Sequence, residues 1–290
     1  MRTITIGVDL AKQVFSVCSV DAAGRVQDRR ELRREAFKQW LPNVPAGTIV
    51  AMEACSGAHH WARRCQAHSL QPRLMAAQFV APFRKSRTAK NDRNDAEAIA
   101  TAARQGNMRF VPVKTVDQQV RLSWHRMREG YKAEALATSN RLRGLLAEFG
   151  VVVAQSDAAL RRTLADLDAL SLPSSLTVLL RDVDAHWQAL QNRIADADRR
   201  IQAHAKADEA CARLRAIIGV GPITADAVVA TIGSAQDFKN GRQFAAWLGL
   251  VPMQHSSGGR PRPGRLRGPG DGHLRPLVIQ SARSRLQPGK

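Results

Sequence analysis

Two short runs near the N-terminus constrain the fold more than any other feature of this chain. Thr3 to Val8 (T-I-T-I-G-V) and Val14 to Val20 (V-F-S-V-C-S-V) alternate in character and are rich in β-branched residues. A period of two with Val and Ile at the repeating positions describes a strand with one face buried, not a helix. Leu10-Ala11-Lys12-Gln13 separates the runs, and Asp21-Ala22-Ala23-Gly24 turns the chain into a third antiparallel strand, Arg25 to Arg30. A helix follows from Arg34 to Leu41, closed by Pro42 and Pro45. Thr48-Ile49-Val50-Ala51-Met52 is a buried strand, Ser56-Gly57-Ala58 opens a helix running to Ser69, and Pro72 to Ala76 is the next strand. Strands and helices interleaved in this way define an α/β domain.

Carboxylates punctuate that domain. Asp9 ends the first strand, Glu53 directly follows the buried strand, and Asp92 and Asp95 precede an Ala-rich stretch, Asp95 to Arg104, that the pattern predicts as a helix. Strand ends in α/β sheets are where ligand sites form. Two carboxylates three residues apart on a first helical turn point the same way and repel unless a cation lies between them. Mg²⁺ takes few, hard oxygen ligands, so such a pair suits a metal acting on a phosphate substrate. Taken alone, the pair is better explained by an aspartate N-cap and a solvated helix start.

The charge balance narrows the partner. Lys and Arg total 44 against 25 Asp and Glu, a formal net charge of +19. That excess selects a polyanion, and nucleic acid is the commonest one. No apolar run approaches the length of a membrane-spanning helix, and Met1-Arg2-Thr3-Ile4 leads directly into a strand without a signal peptide. Cys18, Cys55, Cys65 and Cys211 form no CxxC pair, which suits reduced thiols in a cytoplasmic protein. His59, His60 and His68 beside Cys55 and Cys65 lack the spacing of a zinc site.

Beyond Val116 the period changes to that of helices. Apolar residues recur through Leu122, Met127, Ala135, Leu142, Leu146 and Phe149, with Gly150 as a stop, and a second long pattern runs from Ser174 to Lys206. Heptads are not sustained, so an antiparallel helical hairpin or oligomerisation stalk is expected. Arg121, Arg126, Arg128, Arg141 and Arg143 are candidates either for a nucleic-acid backbone or for a solvated face. Ile218-Gly219-Val220-Gly221-Pro222 has the form of a helix-hairpin-helix turn, whose backbone N–H groups suit a phosphate. After Phe244 to Pro252 comes His255-Ser256-Ser257-Gly258-Gly259-Arg260, followed by Arg262, Arg265 and Arg267. A serine hydroxyl in that cationic loop could attack a phosphodiester, although Ser-Gly-Gly is also ordinary loop composition.

Taken together, G-V-D-x-A-K at the N-terminus, K-N-D-x-x-D-A in the middle, and W-L-G-L-V-P-x-Q-x-S-S-G-G with G-D-x-x-L-R behind it make the chain resemble the DEDD-type insertion-sequence transposases, the family numbered one hundred and ten, which includes the pilin-gene invertase. The match covers almost the whole chain. It implies a RuvC-like, RNase H-type α/β domain over 1–112, an α-helical coiled-coil-like stalk over 113–208, and a mainly helical C-terminal transposase domain over 209–290. It implies that Asp9, Glu53, Asp92 and Asp95 bind Mg²⁺, with Mn²⁺ as a substitute, and that Ser257, with Ser256 as the fallback, is the nucleophile. The implied partners are donor and target DNA, a non-coding guide RNA, and further copies of the chain in a homodimer or homotetramer. A RuvC-like nuclease using the same acids and water is the competing reading. Two departures from the family pattern stand near the end: Arg267-Gly268-Pro269-Gly270 replaces the usual basic approach to Asp271, and Pro276 falls where a helix is expected to continue. Relatives run on past the position of Lys290, so a shortened copy is the expectation.

Overall fold

The computed structural model describes residues 4–84, 92–233, 235–252, 264 and 270–286, without the side chains of Asp92 and Arg93. The chain divides into two compact units, Met1–Thr115 and Val116–Lys290. No helix among the described residues is long and apolar enough to cross a membrane.

The first unit is a six-stranded mixed sheet with helices on both faces. Its strands are β1 (Thr5–Asp9), β2 (Val14–Val20), β3 (Val26–Arg33), β4 (Ile49–Glu53), β5 (Gln71–Met75) and β6 (Phe110–Val111), in the order β3-β2-β1-β4-β5-β6. β1, β2 and β3 form an antiparallel meander, whereas β1, β4 and β5 run parallel and β6 returns antiparallel. The helices are α1 (Arg34–Trp40), α2 (Ala58–Ala67), α3 (Ala77–Val80) and α4 (Asp92–Ala102).

Alternation sorts the side chains of β1 between two layers. Ile6 and Val8 face a core with Phe15, Val17, Val50 and Met52, closed by Phe37 of α1 and Trp61 of α2. Phe15, Phe37 and Trp61 meet there edge to face, with ring centroids 5.0–5.2 Å apart. The opposite face carries Cys18, Val20 and Ala51 and is covered by the alanines of α4. Small residues on both sides let that helix lie almost on the sheet. A Cβ at Gly7 would fall 2.1 Å from the Ala96 carbonyl oxygen, so only glycine fits. An ion pair between Arg29 of β3 and Glu97 pins the helix to the sheet edge.

The second unit is helical: α5 (Val116–Glu148), α6 (Asp157–Ala165), α7 (Ser174–Ala207), α8 (Glu209–Arg215), α9 (Pro222–Ile232), α10 (Gly241–Trp247) and α11 (Leu274–Leu286). α5 and α7 pack along each other around Leu142, Leu146, Leu180, Trp187 and Leu190, with α6 closing one end through Leu160 and Leu164. Gly150, at φ +83°, stops α5 as the sequence predicts.

Candidate active site

Strand register brings Asp9 and Glu53 to one level. Val8 of β1 pairs with Met52 of β4 in a parallel ladder, so the next residue on each strand ends the neighbouring chains side by side. Neighbouring strands lie about 4.8 Å apart. Two residues beyond Gly7 and Ala51, both carboxylates belong to the face that α4 covers. α4 starts at Asp92, three residues before the predicted Asp95, and ends at Ala102, short of Arg104. Asp92 and Asp95 therefore share its first turn, and Asp95 is a helical residue rather than a cap.

Arg84 ties two of these acids together. Its Nη2 donates to Glu53 Oε1 at 3.0 Å, and its Nε stands 2.9 Å from Asp95 Oδ1 as a close charge contact without the alignment of a hydrogen bond. The Glu53 and Asp95 carboxylates are mostly buried, so the guanidinium offsets two like charges that solvent screens poorly. Asp9 is half-buried beside them. Its field registers at Cys55, whose thiol is pushed up first by desolvation of the sulfur and then by the Glu53 and Asp9 carboxylates. Among the described residues, no three His, Cys, Asp or Glu side chains are grouped as a ready metal cage. The donor chemistry still fits a hard divalent cation: Asp9, Glu53 and Asp95 offer only oxygens, and a cation, here the guanidinium, already stands between two of them.

The profile of the DEDD-type IS110 transposases matches residues 6–150, and that of the "Transposase IS116/IS110/IS902 family" matches residues 211–289. The chain is 44% identical to a "Probable family 20 transposase" of Pseudomonas aeruginosa, over 98% of this chain and 84% of the relative. It is 38% identical to the transposase for insertion sequence element IS1111A of Coxiella burnetii, over 99% of this chain and 79% of the relative. The transposase for IS1328 of Yersinia enterocolitica is 36% identical, over 97% of this chain and 84% of the relative. The chain belongs to the IS110 family of DNA transposases.

In this transposase Ser256 and Ser257 lie outside the described residues, as does the side chain of Asp92. The flanks of the serine segment are described, and they meet. Gly270 approaches the backbone of Leu248 so closely that a Cβ would fall 2.0 Å from its carbonyl oxygen. Asp271, the acid of G-D-x-x-L-R, caps α11: its Oδ1 accepts from the backbone N–H groups of His273 at 2.9 Å and Leu274 at 2.8 Å. Pro276 is the third residue of α11, next to the Arg275 N–H that donates to the Asp271 carbonyl, so at the helix start it removes one ladder bond without ending the helix. The expected interruption does not occur, and the helix runs on to Leu286.

The hairpin between α8 and α9 is built as its glycines require. Gly219 takes φ +92° with α11 against it, where a Cβ would fall 2.3 Å from the Ser281 carbonyl oxygen, and Pro222 opens α9. Among the five candidate arginines of α5, Arg121 is not available to a nucleic acid. It is buried, with Nε donating to Asp226 Oδ1 at 2.8 Å and Nη1 to Asp208 Oδ2 at 2.7 Å. His125 Nε2 lies 2.8 Å from Asp226 Oδ2, and the rings of His125 and His273 are 5.2 Å apart. Arg128 is engaged by Asp198 and Glu129, and Arg143 donates to the Gln155 carbonyl, whereas Arg126 and Arg141 are exposed. Sequence reasoning missed this network because its partners are widely separated along the chain. The one available signal was an aspartate in the otherwise small and apolar α9.

Proposed function

We propose that this transposase cuts and rejoins DNA through a composite site: the carboxylates of Asp9, Glu53, Asp92 and Asp95, and the hydroxyl of Ser257. The placement of Asp9 and Glu53 at adjacent strand ends, on the face that receives the first turn of α4, is the observation that carries this reading. An antiparallel meander joined to parallel β4 and β5 supports a RuvC-like, RNase H-type catalytic domain over 1–112, followed by a stalk over 113–208 and a C-terminal domain over 209–290. Mg²⁺ or Mn²⁺ held by the four carboxylates would supply charge stabilisation at the scissile phosphate.

The chain's own groups do the rest. Ser257 Oγ attacks phosphorus, giving its proton to a carboxylate or to water, and forms a phosphoserine ester as the bond to the departing sugar oxygen breaks. That oxygen takes up a proton. Attack by a hydroxyl of another DNA end on the ester reverses the exchange and frees the serine. One phosphodiester is lost and one gained, so rejoining draws on no external energy source. The excess of Lys and Arg suits the DNA backbone and a non-coding guide RNA, and assembly of two or four copies would bring an acidic cluster and a serine loop together.

Covalent trapping tests this reading. The purified protein is incubated with labelled element-junction DNA, the RNA from the element's flanks and Mg²⁺, then denatured. The expected result is a protein–DNA adduct that disappears in Ser257→Ala and in Asp9→Ala. Free nicked DNA without an adduct would instead assign a nuclease that uses water.

A further inference from the structure

The arrangement around Arg84 carries a consequence for how the acidic site is loaded. The residue leaves a short 3-10 turn, Ala81–Phe83, and reaches back to join the end of β4 to the first turn of α4. Its two nitrogens occupy the space between the Glu53 and Asp95 oxygens, at 3.0 and 2.9 Å. A divalent cation shared by these carboxylates would have to lie in that same space, at the shorter distance of about 2.0–2.1 Å that Mg²⁺ requires. Guanidinium and metal ion cannot both be there. They also carry like charge, so bringing one in weakens the hold on the other.

We propose that Arg84 is a resident counter-ion that holds Glu53 and Asp95 together in the metal-free protein and is displaced when a divalent cation binds. Without it, two mostly buried carboxylates would face each other uncompensated, and the start of α4 would be pushed from the sheet. With it, the site stays assembled, but metal must compete for entry. The Arg84 side chain is 35% exposed, with its Nε the buried end, so turning outward moves the guanidinium toward solvent and away from the core. Once outside, it adds a cation beside a polyanionic substrate. Loading the metal therefore also frees a phosphate-binding group. The inference rests on the reading of Asp9, Glu53 and Asp95 as metal ligands, and it assigns Arg84 a positioning role rather than a catalytic one.

Direct metal binding tests this without any turnover. Mn²⁺ is titrated into the full chain in the absence of nucleic acid, with free Mn²⁺ followed by electron paramagnetic resonance and melting followed in parallel. Wild type, Arg84→Ala, Arg84→Gln and Asp9→Asn are compared. Arg84→Ala and Arg84→Gln should bind Mn²⁺ about tenfold more tightly than wild type, a gain of about 1.4 kcal/mol. They should also melt lower than wild type without metal, and gain more from adding it. Arg84→Gln keeps the bulk of the side chain and gives the answer if Arg84→Ala does not fold. Mn²⁺ binding that Asp9→Asn abolishes, but that both Arg84 variants leave equal or weaker, overturns the role of Arg84 alone. Absence of Mn²⁺ binding in wild type and in both Arg84 variants overturns the acidic site itself, and this proposal with it.

Discussion

The two units each set an arginine between carboxylates, and the contrast between the two assemblies separates function from architecture. In the first unit Arg84 is 35% exposed and its partners Glu53 and Asp95 are 17% and 10% exposed, at the rim where strands end. In the second, Arg121 is 7% exposed while Asp226 and His125 are fully buried, between helices rather than at an edge. An ion pair sealed in the interior cannot exchange partners with solvent, metal or substrate. Removing one of its charges also leaves the other buried and short of its most deeply buried partner. A pair at the rim can open. The same chemistry thus makes a fixed tie in one place and a contact that can open in the other, and depth of burial decides which.

The sharpest way to break this contrast is Asp226→Ala. Arg121 would keep Asp208 but lose its fully buried partner, and the expected loss is about 3–5 kcal/mol in stability, read by chemical denaturation. A loss below about 1 kcal/mol would mean that the network is not a structural tie. Gly7→Ala probes the other unit by pressing on α4. Its new methyl meets backbone atoms of Ala96 and Ala100 at 2.1 and 2.5 Å, and an overpacking cost of about 1–3 kcal/mol is expected. Because α4 carries Asp92 and Asp95, strand cleavage should fall further than that cost explains.

Acid sharpens the comparison next. Burial, and then the neighbouring His125, hold His273 below its ordinary value of 6.5, while Glu129 and Asp271 pull the other way and Arg128 adds to the lowering. A group whose pKa is lower folded than unfolded contributes stability that is present above the unfolded value and is lost as pH falls through the folded one. Asp208 acts in the same direction below its ordinary 3.8: burial raises it, but the Arg121 hydrogen bond and others outweigh that. The melting temperature should therefore drop as pH falls from about 6.5 downward, and His273→Gln should flatten the upper part of that slope. The smallest effect is expected where both charges are exposed. Arg181→Ala removes the ion pair with Asp168 and should change stability by less than about 1 kcal/mol.

Much of the first unit was legible from residue order because its information is local. Val14–Val20 forms as its alternation predicts, and Asp9 and Glu53 stand at strand ends. The third strand runs on to Arg33, past Arg30, because its edge position leaves polar side chains free to face water. β6, two residues long, has no pattern to detect. The start of α4 was misplaced because Asp is a good cap, and Asp92 and Asp95 are equally plausible starts by composition. Gly7 gave no sign of its role, since only the packed helix shows why a side chain is excluded there. Arg121 misled for a related reason: a long-range partner turned a surface-like charge into an interior one. The role of Asp271 follows from cap geometry, which the motif alone does not disclose.

Strand cleavage by Asp9→Asn, measured alongside DNA binding on the same junction substrate, tests most directly whether the rim cluster is the catalytic centre. The substitution keeps the size of the side chain and removes one carboxylate from the end of β1. Cleavage should fall by at least about a hundredfold, on the scale of losing one group that stabilises charge in the transition state, while DNA binding and melting stay close to wild type. Cleavage that survives, or binding that collapses in step with it, would contradict the assignment and leave the acids a structural part of the sheet edge.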